Sequence, residues 1–437
     1  MLFCCSFLQI TIKFRGLNME KRRVVVTGLG LVSPYGCGTD KFWNSLIAGK
    51  SGVKTLTRVP LEGHLVTIGA EATTFEQEVT DGGLLEPKDF KRMDRFTQFA
   101  CVASDEAIKD SGLDITKEDP YRVGVIFGSG AGGFDTFERQ HIAMINRGPT
   151  KCSPFTIPML ISNMACGRIS MRHGIKGLSK SLTTACATSA HAIGDAMRSI
   201  QFGDADVIVA GGSEAVITHL GIGAFTTART LSRRNDEPER ASRPYDVDRD
   251  GFVMGEGGAC LIIEELNHAL KRGAKIYAEV VGYGQTSDAY DMVAPDPTGA
   301  GGAKAMENAV KDAGIKPTDV GYINAHGTST HLGDIAESQA IAKVFGDLST
   351  NKDLLVSSTK SMHGHMIGAT GAAESIVCIK VITEGIVPPT INLENQDPEV
   401  ANLNYVPNKA VKANVEYALS NSFGFGGHNA SLVFKKY

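Results

Sequence analysis

The sequence lacks three features that would place the protein in a specialised class. No apolar run approaches the roughly 20 residues of a membrane-spanning helix. No long basic run is present and the formal net charge is −4, so an interaction with nucleic acid is not expected. The nine cysteines show no Cys-x-x-Cys spacing, which argues against a zinc site and a disulfide framework. We therefore expect a cytoplasmic protein with reduced thiols and no bound metal.

Apolar, β-branched runs alternate with helical patterns along the 437 residues. Such alternation is typical of an α/β protein whose sheets are covered on both faces. The length exceeds what one core usually reaches, so we expect two core-forming halves. The runs that predict strands are RRVVVTG, YRVGVIFGS, ADVIVAGGS, ACLIIEE, YAEVVGYG, VGYINAHGT, LLVSSTK, YALSNSFG and ASLVFKK.

Two stretches share one design, in which a strand leads through a short turn into a helix. In the first, strand-like SLTTA reaches Cys186 and then a helix predicted over Thr188–Gln201. In the second, LLVSSTK reaches a His-Gly-His turn and then an apolar helix predicted over Ala372–Thr383. The shared design indicates an internal duplication with its boundary near residues 270–280.

We therefore predict an N-terminal half over residues 19–275, which contains Cys186, and a C-terminal half over residues 276–437, which contains the histidine motifs. Residues 1–18 differ in pattern from the rest and are expected to form a poorly ordered extension, with a weak organelle presequence as the alternative. The charged, turn-rich stretch 229–250 is predicted to be a surface loop that flanks an entrance.

Cys186 stands at the predicted start of a helix, between small residues. The partial positive charge of a helix start lowers the pKa of a thiol, which would favour a reactive thiolate. The alternative is an inert buried cysteine at a tight helix–sheet contact.

Three further motifs contain residues capable of chemistry. His326 in NAHGTST follows a strand and can serve as a base, an acid or a hydrogen-bond donor, or can merely cap backbone. Lys360 is followed by His363 and His365, of which one is expected to be a bystander. The glycines around Phe425 in SFGFGGHN can expose backbone N–H groups as an oxyanion site, or can form a simple bulge.

In the order Cys, His, Lys…His and Gly-Phe-Gly-Gly, these motifs resemble those of the β-ketoacyl-acyl carrier protein synthases, the condensing enzymes of fatty-acid synthesis, and most closely the elongating bacterial type. The resemblance runs from about Lys21 to Tyr437. It implies an α/β, thiolase-like fold of five αβαβα layers built from two similar halves, and a homodimer. It also implies decarboxylative condensation of an acyl group with malonyl-acyl carrier protein, without an organic cofactor.

The resemblance assigns roles to individual positions. Cys186 matches the nucleophile, and His326 and His365 match the catalytic histidines. Lys360 matches the lysine of the second histidine motif, and Phe425 matches the aromatic gate whose N–H completes the oxyanion hole. Thr328 and Thr330 match residues that contact the phosphopantetheine arm. Four positions depart from the family pattern: His331, His363, His428 and Ala131. Ala131 lies near the acyl pocket, where a larger aliphatic residue is common, so chain-length preference could shift toward longer acyl groups.

Basic residues point to a partner site. Lys88, Lys91 and Arg92 lie at i, i+3 and i+4, so on a helix they would share one face. The resemblance favours docking of the acidic carrier protein there, with Lys151 and Arg229 as further candidates; a solvated charged helix is the alternative.

Three other members of the superfamily remain to be distinguished. The chain-length partner subunit of polyketide systems has this fold but lacks the nucleophilic cysteine, and a thiolase would carry a second cysteine in the glycine loop. A polyketide ketosynthase is the nearest alternative. A GxGxxG match at Gly128–Gly133 lacks the acidic residue that a nicotinamide site would require, so no nicotinamide cofactor is expected.

Overall fold

The structure is a computed structural model that describes residues 21–437. The predicted extension, residues 1–18, lies outside the described residues. The strands are β1 (Val24–Ser33), β2 (Gly36–Cys37), β3 (Lys54–Thr55), β4 (Ile68–Gly69), β5 (Val123–Gly128), β6 (Ser179–Lys180), β7 (Val207–Glu214), β8 (Gly257–Glu265), β9 (Ala278–Ser287), β10 (Val320–Asn324), β11 (Leu355–Ser357), β12 (Ile386–Val387), β13 (Val411–Lys412), β14 (Tyr417–Gly424) and β15 (His428–Lys436).

Helices connect these strands. They are α1 (Thr39–Ile47), α2 (Phe75–Asp81), α3 (Pro87–Arg92), α4 (Arg95–Ser111), α5 (Phe134–Arg147), α6 (Thr156–Leu160), α7 (Met164–His173), α8 (Thr188–Gln201), α9 (His219–Thr227), α10 (Leu266–Lys271), α11 (Ala300–Ala313), α12 (His331–Phe345), α13 (Lys360–His363) and α14 (Thr370–Glu384).

The large sheet repeats one topology twice. Its order is β11-β10-β14-β15-β9-β1-β8-β7-β5-β6, and the two halves meet where β1 pairs with β9. The first half contributes, in chain order, β1, β5, β6, β7 and β8, and the second contributes β9, β10, β11, β14 and β15. Outward from the junction, each half runs through its first, fifth, fourth, second and third of these strands. In both halves the first two pairings are antiparallel and the next two are parallel. The prediction of two similar halves is therefore confirmed.

Helices α8 and α14 form the middle layer, because they contact each other and the strands of both halves. Helices α4 and α7 cover the outer face of the first half, and α11 with α12 covers that of the second. Every residue from Thr370 to Ile379 is buried, which explains why α14 is apolar on nearly all sides. The five layers place the start of both middle helices, and the turns before them, at the centre of the molecule.

Nine predicted strands are present, and α8 has the predicted bounds. Two expectations were wrong. The SLTTA segment is not a strand, because β6 ends at Lys180 and irregular backbone leads to Cys186. The stretch 229–250 is not a surface loop, because Arg243, Tyr245 and Arg249 are buried in it. Among residues 21–437, no helix combines the length and apolar character needed to cross a membrane.

Candidate active site

Cys186 lies in a single 3-10 turn, Ala185–Ala187, directly before α8. Its side chain is only 8% exposed, and the thiol is free. The turn is close to the glycine loop, since a Cβ on Gly424 would lie 3.1 Å from the backbone nitrogen of Cys186. Glycine at position 424 therefore permits the close approach of two segments that are far apart in the sequence.

His326 follows β10, and its backbone is held by a buried carboxylate. The N–H groups of His326 and Gly327 each donate to Glu337 of α12 at 2.7 Å. Asn421 of β14 donates to the same carboxylate at 3.1 Å. Three donors on one carboxylate fix the direction in which the His326 ring leaves the strand end.

His365 follows α13 and is held on both sides. Its N–H donates to the Val253 carbonyl at 2.7 Å, and its own carbonyl accepts from Gly255 at 2.7 Å. In the ring, Nδ1 lies 3.0 Å from the hydroxyl of Thr370 at the start of α14, whereas buried Nε2 has no hydrogen-bond partner. The ring therefore presents Nε2 for an interaction with a bound group.

The fold brings Cys186, His326 and His365 together. The Cys186 sulfur and one nitrogen of each ring all lie within 4.8 Å of one another. The two rings meet edge to face with centroids 5.4 Å apart. Lys360 is buried nearby, and its ammonium donates to Glu374 at 2.6 Å.

The same three residues are the potential metal-ligand group among residues 21–437. A thiolate and two imidazoles can bind zinc. However, burial and then the Lys360 ammonium lower the pKa of both histidines, and the charge of this nearby ammonium would oppose a second cation. The absence of a metal stays a prediction, and this neighbouring charge favours it.

The charge state of Cys186 differs from the expectation. Burial raises the pKa of the thiol to about 12, and this exceeds the opposing effects of Lys360 and of the Phe425 backbone N–H. Burial also lowers the pKa values of His326 and His365 well below the ordinary range, with Lys360 as the second cause. A helix start therefore does not compensate for burial here, and the resting site holds a neutral thiol and neutral imidazoles.

A cavity of about 720 Å³ opens onto this cluster. The predicted residues Ala131, Thr328, Thr330 and Phe425 line it. The hydroxyls of Thr328 and Thr330 lie 2.9 Å apart. The centroid of the Phe425 ring lies 6.4 Å from that of Phe225. The glycine loop that carries the backbone N–H of Phe425 therefore also forms part of the cavity wall.

The three unusual histidines occupy different environments. His363 is fully buried, its Nε2 lies 3.0 Å from the Thr359 hydroxyl, and burial lowers its pKa to about 3. His363 is therefore outside the Cys–His–His cluster. His331 is exposed and lines the cavity. His428 is exposed next to the glycine loop, with its ring 6.4 Å from that of His191.

Lys88, Lys91 and Arg92, which we call the α3 basic patch, lie on helix α3 as predicted, and all three side chains are exposed. Arg92 lies over the Phe155 ring at 5.1 Å, which brings α3 close to the segment that contains exposed Lys151. Arg229 is exposed and lines the catalytic cavity.

Sequence reasoning missed the buried carboxylates around the site. Glu337 fixes the His326 backbone, Glu374 pairs with Lys360, and Glu214 bonds to the loops beside Cys186. One signal was available for Glu374, because it is the only carboxylate within the apolar segment AAESIVCIKVIT. The other two lie in segments of ordinary polarity and give no such signal.

Comparisons with known proteins agree with this geometry. The sequence profile of "Beta-ketoacyl synthase, N-terminal domain" matches residues 21–269, and that of "Beta-ketoacyl synthase, C-terminal domain" matches residues 277–394. The chain is 50% identical over 418 residues to "3-oxoacyl-[acyl-carrier-protein] synthase 2" of Coxiella burnetii, covering 96% of this chain and 99% of the relative. The protein of the same name from Synechocystis sp. is 49% identical over 420 residues, covering 96% and 99%.

A solved structure of similar fold is a type II polyketide ketosynthase, bound to the hexaketide and in complex with its acyl-carrier protein. It superposes with a TM-score of 0.87 at 33% identity, covering 96% of this chain and 100% of that one.

Proposed function

The chain belongs to the beta-ketoacyl synthase family. We propose that it catalyses the condensation of an acyl group, bound to Cys186, with malonyl-acyl carrier protein in fatty-acid elongation, and that this reaction takes place in the cavity. The enzyme is a 3-oxoacyl-acyl carrier protein synthase of type 2, as its relatives at about 50% identity are named. A polyketide ketosynthase is not favoured, because the polyketide enzyme is only 33% identical. The observation that carries the proposal is the meeting of the Cys186 sulfur with two ring nitrogens inside the cavity.

In the first half-reaction, the Cys186 sulfur attacks the thioester carbonyl of an acyl-carrier protein. The backbone N–H groups of Cys186 and Phe425 stabilise negative charge at the sulfur and lower its pKa, so they are placed to donate to the tetrahedral oxyanion. Each such donor typically contributes about 3 kcal/mol. The thiol proton leaves with the phosphopantetheine thiolate, and the acyl group remains as an enzyme thioester.

In the second half-reaction, malonyl-carrier protein loses carbon dioxide and becomes an enolate. Its thioester oxygen then requires donors, and neutral His326 and His365 supply them. When Thr370 donates to Nδ1 of His365, the ring proton lies on Nε2, which faces the site. The enolate carbon attacks the acyl-Cys186 carbonyl, the β-ketoacyl carrier protein leaves, and the Cys186 thiolate takes up a proton.

The test is condensation followed by mass spectrometry. Wild-type enzyme with acyl- and malonyl-carrier protein is expected to give β-ketoacyl-carrier protein, whereas Cys186→Ala forms no acyl-enzyme. Cys101→Ala is the matched control, because this buried free thiol lies in a separate core cluster and its loss should leave acylation intact. Acyl-enzyme in Cys186→Ala, or no condensed product from the wild type, would contradict the proposal.

We also propose that the enzyme is a homodimer. Strand β6 ends the large sheet, so one side of its backbone is available for another strand. Apolar side chains nearby in the sequence are exposed: Ile157 at 63%, Met171 at 65% and Ile161 at 38%. A second copy that pairs its own β6 would cover both features. Sedimentation at micromolar concentration should give a dimer, and a monomer would refute this assembly.

Three smaller proposals complete the assignment. The boundary between the halves at residues 275 and 276 is supported by the short link between α10 and β9, which also separates the two matched profiles. A cytoplasmic location is supported by the cysteines of residues 21–437, which are all free thiols. The α3 basic patch, with Lys151 and Arg229, is proposed to dock the acidic carrier protein.

A further inference from the structure

Glu214 is a fully buried carboxylate beside the catalytic cluster, and it takes part in neither half-reaction described above. It is the last residue of β7. One carboxylate oxygen accepts from the Ser129 hydroxyl at 2.9 Å and the Ala131 N–H at 3.2 Å. The other accepts from the N–H groups of Gly130 at 2.7 Å and Gly368 at 3.1 Å. Burial raises the pKa of Glu214 to about 7. Three of the four partners are backbone N–H groups, which can only donate, so these hydrogen bonds favour the ionised carboxylate.

These donors belong to two loops, one from each half of the chain. Residues 129–131 follow β5, and residues 367–368 precede the middle helix α14. Gly130 and Ala131 from the first loop, and Ile367 from the second, line the cavity together with Cys186. Glu214 thus bonds to the two loops that stand on either side of the path from the nucleophile into the cavity.

The loops are in close contact across the carboxylate. A Cβ on Gly368 would lie 2.6 Å from the Gly130 nitrogen and 2.8 Å from a Glu214 oxygen. A Cβ on Gly130 would lie 3.3 Å from the Ile367 side chain. Little free space remains between the loops, and Glu214 accepts hydrogen bonds from both of them, so losing these bonds would change how the loops pack.

Ile367 supplies a second reason for such a restraint. Its φ of 45° is in the left-handed region, which a β-branched residue rarely adopts. Backbone of this kind persists only where its surroundings hold it. The Gly368 N–H, which donates to Glu214, is the next group along the chain. Glu214 is therefore placed to keep the Ile367 side chain pointing into the core cluster that includes Cys186.

We propose that Glu214 is a positioning residue that sets the separation of the Ala131 and Ile367 loops, and thereby sets which acyl chains pass beside Cys186. The inference rests on the proposed function, because it names a determinant of acyl selectivity in that same cavity. Glu214 acts through backbone groups and does not touch the reacting atoms.

The experiment compares Glu214→Gln with wild type in acylation by carrier-bound acyl chains of 6 to 18 carbons. In Glu214→Gln, an NH₂ group replaces one carboxylate oxygen and cannot accept the hydrogen bonds that this oxygen accepted. Two of the four hydrogen bonds are therefore lost. We expect the ratio of kcat/KM between the best and worst chain length to fall about tenfold. Malonyl-carrier protein decarboxylation is expected to stay within about twofold of wild type, since both histidines keep their supports.

Glu264→Gln is the matched control. Glu264 is equally buried, but its partners are Thr27, His268 and Arg272, and it does not line the cavity. This variant should lose thermal stability and keep the wild-type ratio. Ser129→Ala removes one hydrogen-bond donor to Glu214 and keeps the carboxylate. It should therefore lower the ratio of kcat/KM between chain lengths by less than Glu214→Gln does, and it tests the inference even where Glu214→Gln fails to fold.

Three results would overturn the inference. A uniform loss at every chain length in Glu214→Gln or Ser129→Ala, matching the pattern of Glu264→Gln, would make Glu214 merely structural. A wild-type enzyme that forms no β-ketoacyl product would overturn the proposed function as well. Normal wild-type condensation with unchanged selectivity in Ser129→Ala and Glu214→Gln would overturn only the role of Glu214.

Discussion

Replacing Lys360 with methionine should add a pH dependence of stability that the intact Lys360–Glu374 pair does not contribute in the wild type. The Lys360 ammonium and the Glu374 carboxylate lie 2.6 Å apart, with side chains 1% and 0% exposed. Burial raises the pKa of Glu374, and the Lys360 charge opposes that rise. Methionine fills a similar volume but supplies no charge, so Glu374 loses its counterion and takes up a proton in the folded enzyme.

The magnitude follows from proton counting. The pKa of Glu374 in the unfolded chain is near the ordinary value of 4.5, so the carboxyl is ionised there between pH 6 and 8. In folded Lys360→Met it is protonated, and the folded state binds one more proton than the unfolded state. Stability is therefore present at low pH and falls by about 1.4 kcal/mol per pH unit, or about 2.7 kcal/mol from pH 6 to pH 8.

The wild-type pair has no such slope. Whether the shared proton lies on Lys360 or Glu374, the folded pair holds one proton, and the unfolded pair also holds one over this range. The double variant Lys360→Met with Glu374→Gln has neither titrating group of the pair and should also lack the added slope, so its stability should run parallel to that of the wild type. Its absolute stability can lie above that of the single variant, because no unpaired carboxyl is left buried.

The assay is urea unfolding of the three proteins at pH 6, 7 and 8, at one fixed protomer concentration because dimerisation would contribute to stability. Parallel wild-type and Lys360→Met stabilities across these pH values would refute the reasoning. That result would mean that Glu374 stays ionised without its lysine, through solvent or a rearranged partner.

Further substitutions test the site residues and the partner surface. His365→Ala should lower malonyl decarboxylation about 100-fold or more, and His363→Ala should lower it less, because His363 faces Thr359. Equal loss of carbon dioxide release would show that the wrong histidine was chosen. Ala131→Ile adds three carbon atoms to the cavity wall; displacing three methylenes would cost about 2.4 kcal/mol, so kcat/KM for long acyl chains should fall about 60-fold while short chains are spared. Neutralising the α3 basic patch should raise KM for carrier-bound substrates at unchanged kcat, with an effect that shrinks at high salt; a KM independent of salt and substitution would exclude docking there.

The reacting groups could be predicted from the sequence because each lies in a short motif at a turn next to a strand or helix. Cys186 precedes α8, His326 follows β10, and His365 lies between β11 and α14. Strand ends and helix starts of a layered α/β fold converge on its centre, which brings such motifs close together. Each motif alone also allowed a structural role, so the family resemblance was needed to assign these residues to one site.

The buried carboxylates could not be predicted in the same way, because their partners are distant in sequence or are backbone groups. Glu214 bonds to Gly368, which is 154 residues away. Glu337 bonds to the N–H groups of His326 and Gly327, which carry no side-chain signature. The sign of the Cys186 pKa shift was mispredicted for a related reason, since the helix start is visible in the sequence and the depth of burial is not.

The neutral resting state bears on how the two half-reactions share one cavity. Thiol and imidazoles are all uncharged, because burial opposes ionisation of each. Negative charge therefore develops only when a thioester carbonyl is attacked or a malonyl carboxylate leaves. In the proposed mechanism, the backbone N–H groups at Cys186 and Phe425 donate to the first charge, and the ring N–H groups of His326 and His365 donate to the second. Because separate donors serve the two charges, the acyl-enzyme can keep its carbonyl bound while the enolate forms beside it, which places both carbons within reach of bond formation.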